Sequence, residues 1–165
     1  ILLYNVPGRT ASNISAETTL RLARDFKNIV GIKEASGNLD QIATILKHRP
    51  KDFLVISGDD ALTLPILALG GDGVISVVGN ALPTEFARLV EAGMGGDMIA
   101  ARREHFKLLE FMTAIFFDGN PAGIKEAMKD LGLCGSTLRL PLVNVSEATA
   151  KKIYGALADA EVVKL

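Results

Sequence analysis

The chain has 165 residues, of which 48% are hydrophobic and 22% are charged, and its formal net charge is -1. This composition is typical of a folded globular domain and excludes a disordered chain. Because 18 basic residues balance 19 acidic ones without a long run of either sign, nucleic-acid binding and membrane binding have no electrostatic support, and we expect a small-molecule partner.

Cysteine and histidine usage narrows the chemistry further. Cys134 is the only cysteine, which excludes an intrachain disulfide and a multi-cysteine zinc site and fits a reducing compartment. The two histidines, His48 and His105, lack metal-ligand spacing and have charged neighbours, so we expect both on helix surfaces. No apolar run approaches the roughly 18 residues of a membrane span, and no signal peptide is visible. We therefore expect a cytoplasmic protein.

Four strand-helix units are predicted in about the first 95 residues. Ser15 and Asn38 are the predicted N-caps of the first two helices, and Pro65 requires the third to begin only a residue or two before it. This alternation favours parallel strands joined by right-handed crossovers, as a small open sheet or as half of a closed eight-stranded barrel. The predicted strands are residues 1–6, 29–35, 53–57 and 73–78.

The strand pattern stops after residue 96, and three helices are predicted over roughly 97–117, 121–131 and 146–160. Asn120 is expected to cap the second of these, Gly132 to close it, and Ser146 to cap the third. We therefore divide the chain into an incomplete barrel, residues 1–96, and a three-helix C-terminal extension, residues 97–165. Because residue 1 falls inside a predicted strand and is not Met, we expect the chain to be a piece of a longer protein.

Lys33 lies near the end of an otherwise apolar strand. Side chains alternate along a strand, so Lys33 points away from the face of Val30 and Ile32 and lies beside Gly31. Desolvation in such a place favours the neutral amine, which can attack a carbonyl. The alternative is a lysine whose ammonium group simply reaches water at the strand end.

Other candidate residues follow the same edge of the predicted sheet. Tyr4, Gly58 and Ile75 lie on or just past successive strands, Tyr4 and Gly58 near the carboxyl end, where parallel barrels carry their chemistry. The phenol of Tyr4 can shuttle protons while an amine condenses with a carbonyl; alternatively, Tyr4 is only a strand-end aromatic residue. Another possibility is that the backbone of residues 70–73 binds a phosphate, which would leave Lys33 without a role.

Five segments then carry a family resemblance: residues 4–10, 31–38, 57–60, 71–77 and 138–141. Their order and spacing resemble the dihydrodipicolinate synthase family of pyruvate-dependent class I aldolases, a superfamily that includes N-acetylneuraminate lyase. The resemblance covers essentially the whole chain but only the later part of the family's proteins. It implies strands five to eight of a (β/α)8 barrel followed by a helical extension. Residues 118–121 depart from the family's Glu-Pro-Asn-Pro pattern, and its Gly-Thr-Thr stretch and a second tyrosine belong to the unmatched part.

The resemblance also implies individual roles. Lys33 matches the lysine that forms a Schiff base with pyruvate, and Tyr4 matches the tyrosine that relays protons to it. Arg9 matches the arginine that receives the carboxylate of aspartate semialdehyde. Ile75 matches the residue whose backbone contacts pyruvate, and Gly58 would line the pocket. No metal or organic cofactor is implied, because the lysine imine itself is the electron sink.

The implied activity condenses pyruvate with aspartate semialdehyde to 4-hydroxy-tetrahydrodipicolinate, in lysine and diaminopimelate biosynthesis. The implied partners are the N-terminal half of the barrel and other copies in a homotetramer. One alternative is a sialic-acid or other 2-keto-acid lyase, although the guanidinium of Arg9 suits a small carboxylate better than a polyol. The other is a catalytically inactive chain, because four strands alone leave open edges and an unfilled barrel interior.

Overall fold

The structure is a computed structural model that describes residues 1–161. Strands and helices alternate along the first part of the described chain, and only helices follow. The described residues form three strands and eight α-helices, which confirms an α/β fold. In chain order the elements are β1 (Leu2–Asn5), α1 (Pro7–Thr10), α2 (Ala16–Asp25), β2 (Gly31–Glu34), α3 (Leu39–His48), β3 (Leu54–Ser57), α4 (Thr63–Ala68), a 3-10 helix (Val78–Asn80), α5 (Pro83–Met94), α6 (Met98–Ala114), α7 (Ala122–Asp130) and α8 (Glu147–Asp159).

The three strands form one parallel sheet in the order β1-β2-β3. Tyr4 of β1 is the register partner of Lys33 in β2, and Lys33 is the partner of Ile56 in β3. Two residues before Lys33, Gly31 leaves no room for a side chain, since a Cβ there would lie 2.7 Å from the Leu54 carbonyl oxygen. Sequential strands are therefore neighbours, as the repeated strand-helix pattern predicted.

The two faces of the sheet differ in exposure. On one face, Ile32 and Val55 are fully buried and belong to a core that includes Ile42 and Ile45 of α3. On the other face, Tyr4 is 46% exposed and Leu54 is 40% exposed. Because side chains alternate along each strand, the face that carries Lys33 is the one that the described helices leave open.

Local sequence signals account for the helix boundaries. The side chains of Ser15, Asn38 and Ser146 each accept a hydrogen bond from the backbone N–H three residues later, which confirms all three predicted N-caps. Pro65 is the third residue of α4, where its missing N–H would have had no acceptor within the helix. The helix begins two residues before Pro65, within the predicted limit.

The predicted fourth strand, residues 73–78, is reduced to a single point of pairing. Ser57 and Val74 form one isolated parallel bridge, and the chain enters the 3-10 helix at Val78. The Ser57 N–H donates to the Gly73 carbonyl at 2.8 Å, and the Ile75 N–H donates to the Ser57 carbonyl at 2.9 Å. A strand is maintained by a ladder of such bonds, and β3 ends at Ser57, so no longer ladder forms here.

Two further predictions are wrong. Asn120 does not cap α7: the N-cap is Pro121, without a side-chain cap bond, and the buried Asn120 side-chain oxygen has no partner among residues 1–161. His105 is buried rather than exposed, whereas His48 is exposed as predicted. The reason is spacing, because His105 falls on the same stripe of α6 as the buried residues Ala101 and Leu108. Burial lowers the pKa of His105.

The described chain divides into two compact units. The first comprises Ile1–Ser76 and Val90–Met98, and the second comprises Val77–Leu89 and the residues from Ile99 onwards. The first unit contains the whole sheet, and α7 packs against α8 within the second. A domain boundary between residues 96 and 97 stays a prediction, and the last four residues of that predicted extension lie outside the described chain. Within residues 1–161, no helix combines the length and apolarity needed to cross a membrane.

Candidate active site

The candidate site lies at the carboxyl end of the sheet, where Lys33 and Tyr4 meet. The Lys33 Nζ atom lies 4.2 Å from the centroid of the Tyr4 ring. The two residues are register partners on neighbouring parallel strands, so the backbone ladder fixes their separation. The electron-rich ring face attracts the Lys33 ammonium group. Lys33 is half-buried, and the described residues leave this side of the sheet open.

Gly58 lies directly beside the Lys33 side chain. A Cβ at Gly58 would be 3.1 Å from both Cγ and Cε of Lys33 and 2.8 Å from the Cβ of Ala35. The Gly58 N–H donates to the Glu34 carbonyl at 2.7 Å, which continues the pairing of β2 with β3 past the last strand residue. The absence of a side chain at Gly58 therefore makes the space that the stem of Lys33 occupies.

Ile75 and Arg9 lie near the same edge but are not in the same contact group. Ile75 follows the bridge to β3 and is 44% exposed. Arg9 is exposed on α1, the short helix that immediately follows β1. Lys33 thus lies beside both the Tyr4 ring and Gly58. Ile75 is next along the sheet edge, and Arg9 is on the segment that leaves β1.

Sequence reasoning missed a buried polar cluster on the opposite face of the same strand ends. Glu34 is fully buried, and its carboxylate accepts hydrogen bonds from Asn5, Gln41 and the Ser36 backbone N–H. A signal was present: strand alternation places Glu34 on the helix side once Lys33 is placed on the other, and a buried carboxylate requires donors. The donors themselves could not be identified, because they come from three separate segments.

The phosphate-binding possibility is not supported by the turn at residues 70–73. The N–H groups of Gly70, Gly71 and Asp72 already donate to the carbonyls of Leu67, Ile66 and Val55. This leaves those three donors engaged within the fold. As for metals, residues 1–161 contain no group of three His, Cys, Asp or Glu side chains placed to hold an ion.

The Lys33 amine and the Tyr4 ring lie side by side at the carboxyl end of a parallel sheet, which is the edge where α/β proteins carry their active sites. Comparison with known proteins identifies the family. The profile of the Dihydrodipicolinate synthetase family matches residues 1–160, and the chain belongs to that family.

Relatives and solved structures agree with this assignment. The chain is 51% identical over 162 residues to the 4-hydroxy-tetrahydrodipicolinate synthase of Phocaeicola vulgatus, covering 98% of this chain and 54% of the relative. It is 52% identical over 153 residues to the synthase of Flavobacterium psychrophilum, covering 93% and 52%. The dihydrodipicolinate synthase structure from Thermotoga maritima superposes with a TM-score of 0.96 at 41% identity, covering 99% of this chain and 56% of that one.

A further similar structure is a complex with pyruvate. The dihydrodipicolinate synthase of Acinetobacter baumannii, described as chloride inhibited and complexed with pyruvate, matches with a TM-score of 0.94 at 33% identity. It covers 98% of this chain and 55% of that one. In each case the chain spans about half the length of the protein that it matches.

Proposed function

We propose that this chain supplies the lysine-bearing half of a (β/α)8 synthase that condenses pyruvate with aspartate semialdehyde. In this proposal β1, β2, β3 and the bridged segment at residues 73–78 correspond to strands five to eight, and the N-terminal half of the barrel covers the open face of the sheet. The observation that carries the proposal is the Lys33 amine 4.2 Å from the Tyr4 ring centre, in a chain of the dihydrodipicolinate synthetase family.

The chemistry begins with the Lys33 amine. Neutral Nζ attacks the ketone carbon of pyruvate, and loss of water gives an imine. Removal of a methyl proton turns the imine into an enamine, whose carbon adds to the aldehyde of aspartate semialdehyde. The amino group of that second substrate then displaces Lys33 and closes the ring, giving 4-hydroxy-tetrahydrodipicolinate. Throughout, Tyr4 carries protons to and from the reacting atoms.

The remaining candidate residues bind and orient. Arg9 receives the carboxylate of aspartate semialdehyde through a charge-assisted hydrogen bond. Gly58 lines the pyruvate pocket beside Lys33, and the Ile75 backbone contacts pyruvate. The product enters lysine and diaminopimelate biosynthesis, and the working enzyme is a cytoplasmic homotetramer. No metal or organic cofactor takes part in the proposed steps.

The test is reductive trapping of the imine. The protein is a chimera in which the N-terminal part of the Phocaeicola vulgatus synthase precedes residues 1–165 of this chain, a junction supported by 51% identity over the matched half. Borohydride added with pyruvate should give one reduced adduct, which peptide mapping places on Lys33. The Lys33→Arg variant, which keeps the charge, should give none.

Two outcomes would contradict the proposal. An adduct on another lysine would move the nucleophile, and no adduct at all would remove the Schiff-base chemistry. A turnover assay separates the substrates: consumption of pyruvate with aspartate semialdehyde supports the synthase, whereas turnover only with a sugar-derived substrate would favour the 2-keto-acid lyase alternative.

A further inference from the structure

We infer that Glu34 and Asn5 are positioning residues that fix the Lys33–Tyr4 pair and the segment that carries Arg9. The inference rests on the proposed function. Asn5 and Glu34 are register partners, and each directly follows the site residue of its strand, Tyr4 or Lys33. Strand alternation turns them to the helix side of the sheet, where Asn5 is 1% exposed and Glu34 is 0% exposed.

The carboxylate of Glu34 joins three parts of the fold. The Asn5 side-chain amide donates to both of its oxygens at 3.1 Å, which ties β2 to β1. The Ser36 backbone N–H donates at 2.8 Å, which sets the turn that leaves β2. Gln41 donates at 3.0 Å from the first turn of α3. Any movement that broke one of these hydrogen bonds would leave a buried polar group unsatisfied, so the carboxylate holds its donors in place.

Asn5 extends the cluster to the segment between β1 and α2. Its side-chain oxygen accepts from the Ile14 N–H at 3.0 Å, and its amide donates to the Asn13 side chain at 2.9 Å. Asn13 in turn donates to Gln41 at 2.9 Å. The segment that carries Arg9 is thus attached to the cluster at both ends, through β1 at its start and through Asn13 and Ile14 at its end.

Position at the site depends on this cluster because only one peptide unit separates Lys33 from Glu34 and Tyr4 from Asn5. A shift of either strand end therefore moves the amine relative to the phenol. Reacting groups must be held within a fraction of an ångström, and a misplacement of about 1 Å can slow a reaction about a hundredfold. The hydrogen bonds of Glu34 on the opposite face of the sheet fix both strand ends and so hold the amine and the phenol at a constant separation.

The experiment measures pyruvate-imine trapping in the chimera, as a rate constant and as a trapped fraction. The Glu34→Gln variant keeps the shape but places an amide N–H against the donors of Asn5 and Gln41. We expect its rate constant at saturating pyruvate to fall about tenfold or more while the trapped fraction stays near that of the parent. The double variant Glu34→Gln with Asn5→Asp restores a donor opposite an acceptor between these two side chains but loses the donation from residue 5 to Asn13, so it should recover only a small part of the rate.

Two peripheral variants separate the roles. Gln41→Ala removes one donor to Glu34 from outside the sheet and should slow trapping by about threefold, which keeps the test open if Glu34→Gln folds poorly. Asn13→Ala removes the bonds of Asn13 to Asn5 and Gln41 but leaves every donor to Glu34 in place, so imine trapping should change by less than about twofold. In that variant the aspartate semialdehyde concentration for half-maximal turnover should rise by about fivefold, as expected for weaker binding alone.

The matched control is Thr19→Val, an isosteric change at a fully buried hydroxyl that has no hydrogen-bond partner in the described part of the chain. It should leave both trapping measurements unchanged. The inference is overturned if Glu34→Gln keeps the parent's rate constant, or if it loses only trapped fraction in proportion to the folded fraction seen by circular dichroism. If the parent chimera gave no adduct on Lys33, the proposed function would be wrong and the inference would fall with it.

Discussion

Gly58 shows how much the candidate site depends on a missing atom. A Cβ at this position would lie 2.8 Å from the Cβ of Ala35, which is fixed to the backbone, and 3.1 Å from the mobile stem of Lys33. We expect Gly58→Ala to lower the free energy of unfolding by about 1–3 kcal/mol and to slow imine trapping about tenfold. Urea denaturation and borohydride trapping of the chimera measure the two effects.

The control for this prediction is Gly135→Ala, because a Cβ at Gly135 would meet no atom within 4 Å. It should alter neither measurement. If Gly58→Ala trapped pyruvate at the parent's rate, the Lys33 side chain would be able to accommodate a Cβ at position 58, and the close packing of Lys33 against Gly58 would have no functional consequence.

The hydroxyl and the ring of Tyr4 can be separated by substitution. Tyr4→Phe keeps the ring against Lys33 but removes the group proposed to carry protons, so turnover should fall about a hundredfold. Thermal stability should hardly change, because Tyr4→Phe removes only a hydroxyl and keeps the ring in place. Steady-state turnover and circular dichroism test the two statements, and normal turnover in Tyr4→Phe would reduce Tyr4 to a structural aromatic residue.

For single residues, the sequence predicted which face of the sheet a side chain occupies, but it did not predict the hydrogen-bond partners of that side chain. Strand alternation alone places Lys33 opposite Ile32, and the structure agrees. The Glu34 cluster needs contributions from β1, the turn after β2, and α3, and no local pattern encodes their meeting. The roles implied for Lys33, Tyr4, Arg9, Gly58 and Ile75 stay predictions.

Among the elements, the end of α3 is tied to β3 through Arg49. Its guanidinium donates to the Phe53 carbonyl at 2.9 Å and to the Gly70 carbonyl at 3.1 Å, and it pairs with the Asp72 carboxylate. Asp72 also accepts from the Val55 N–H at 2.7 Å. Arg49→Met should lower the free energy of unfolding by about 2–4 kcal/mol, because a partly buried carboxylate loses its cationic partner and two carbonyls lose their donor.

Arg103→Met is the control for this element. Arg103 pairs with Glu104, but its side chain is 76% exposed, so its loss should cost less than about 0.5 kcal/mol. Urea denaturation compares the two variants. Equal losses would mean that the Arg49 pair contributes no more than a surface pair does.

Acid sensitivity is predicted at the start of α8. The Ser146 N–H, followed by the Ser146 and Thr149 hydroxyls, lowers the pKa of Asp118 below its ordinary value of 3.8. The folded state therefore binds this proton less readily than the unfolded state. The resulting stability is fully present above the ordinary pKa and is lost as the pH falls through the lower, folded value.

We expect Asp118→Asn to lower the thermal unfolding midpoint at pH 7, and we expect the gap to the parent to close on acidification below the ordinary pKa. Thermal unfolding at pH 7 and at a pH below the folded value checks this. Asp52→Asn, at an exposed carboxylate, is the control. A gap that stays constant with pH would show that the Asp118 charge does not stabilise the start of α8.

Three of the four helix starts predicted from a capping residue were correct, and the one predicted at Asn120 was wrong. Ser15, Asn38 and Ser146 lie at the predicted N-caps because capping needs only a side chain and a nearby N–H. Residues 73–78 were predicted as the fourth strand of the repeating strand-helix pattern, but a strand also needs a partner over its length. The single Ser57–Val74 bridge shows that the partner ends first.

For the whole molecule, the open face of the sheet is the decisive feature. Leu54 and Ile75 are 40% and 44% exposed, and within residues 1–161 no strand pairs with the outer edge of β1. Large apolar side chains and free strand edges promote association between chains. We therefore expect the 165-residue chain alone to sediment as oligomers or aggregates and to show no synthase activity.

The measurement is sedimentation velocity with a pyruvate and aspartate semialdehyde assay on the same sample. The chimera is the reference and should be active and well defined in mass. A folded, active monomer of residues 1–165 alone would contradict the proposal that this chain needs another half.

The neighbouring positions of Lys33 and Glu34 also bear on how reliably the chain folds. If β2 docked one residue out of register, every side chain on it would change face. The carboxylate would then enter the reaction space, and the lysine would be pressed into the apolar layer against α3, so both charges would lack their partners. Such a slipped sheet would be far less stable than the native one, so the adjacent Lys33 and Glu34 also disfavour a one-residue register error of this short strand.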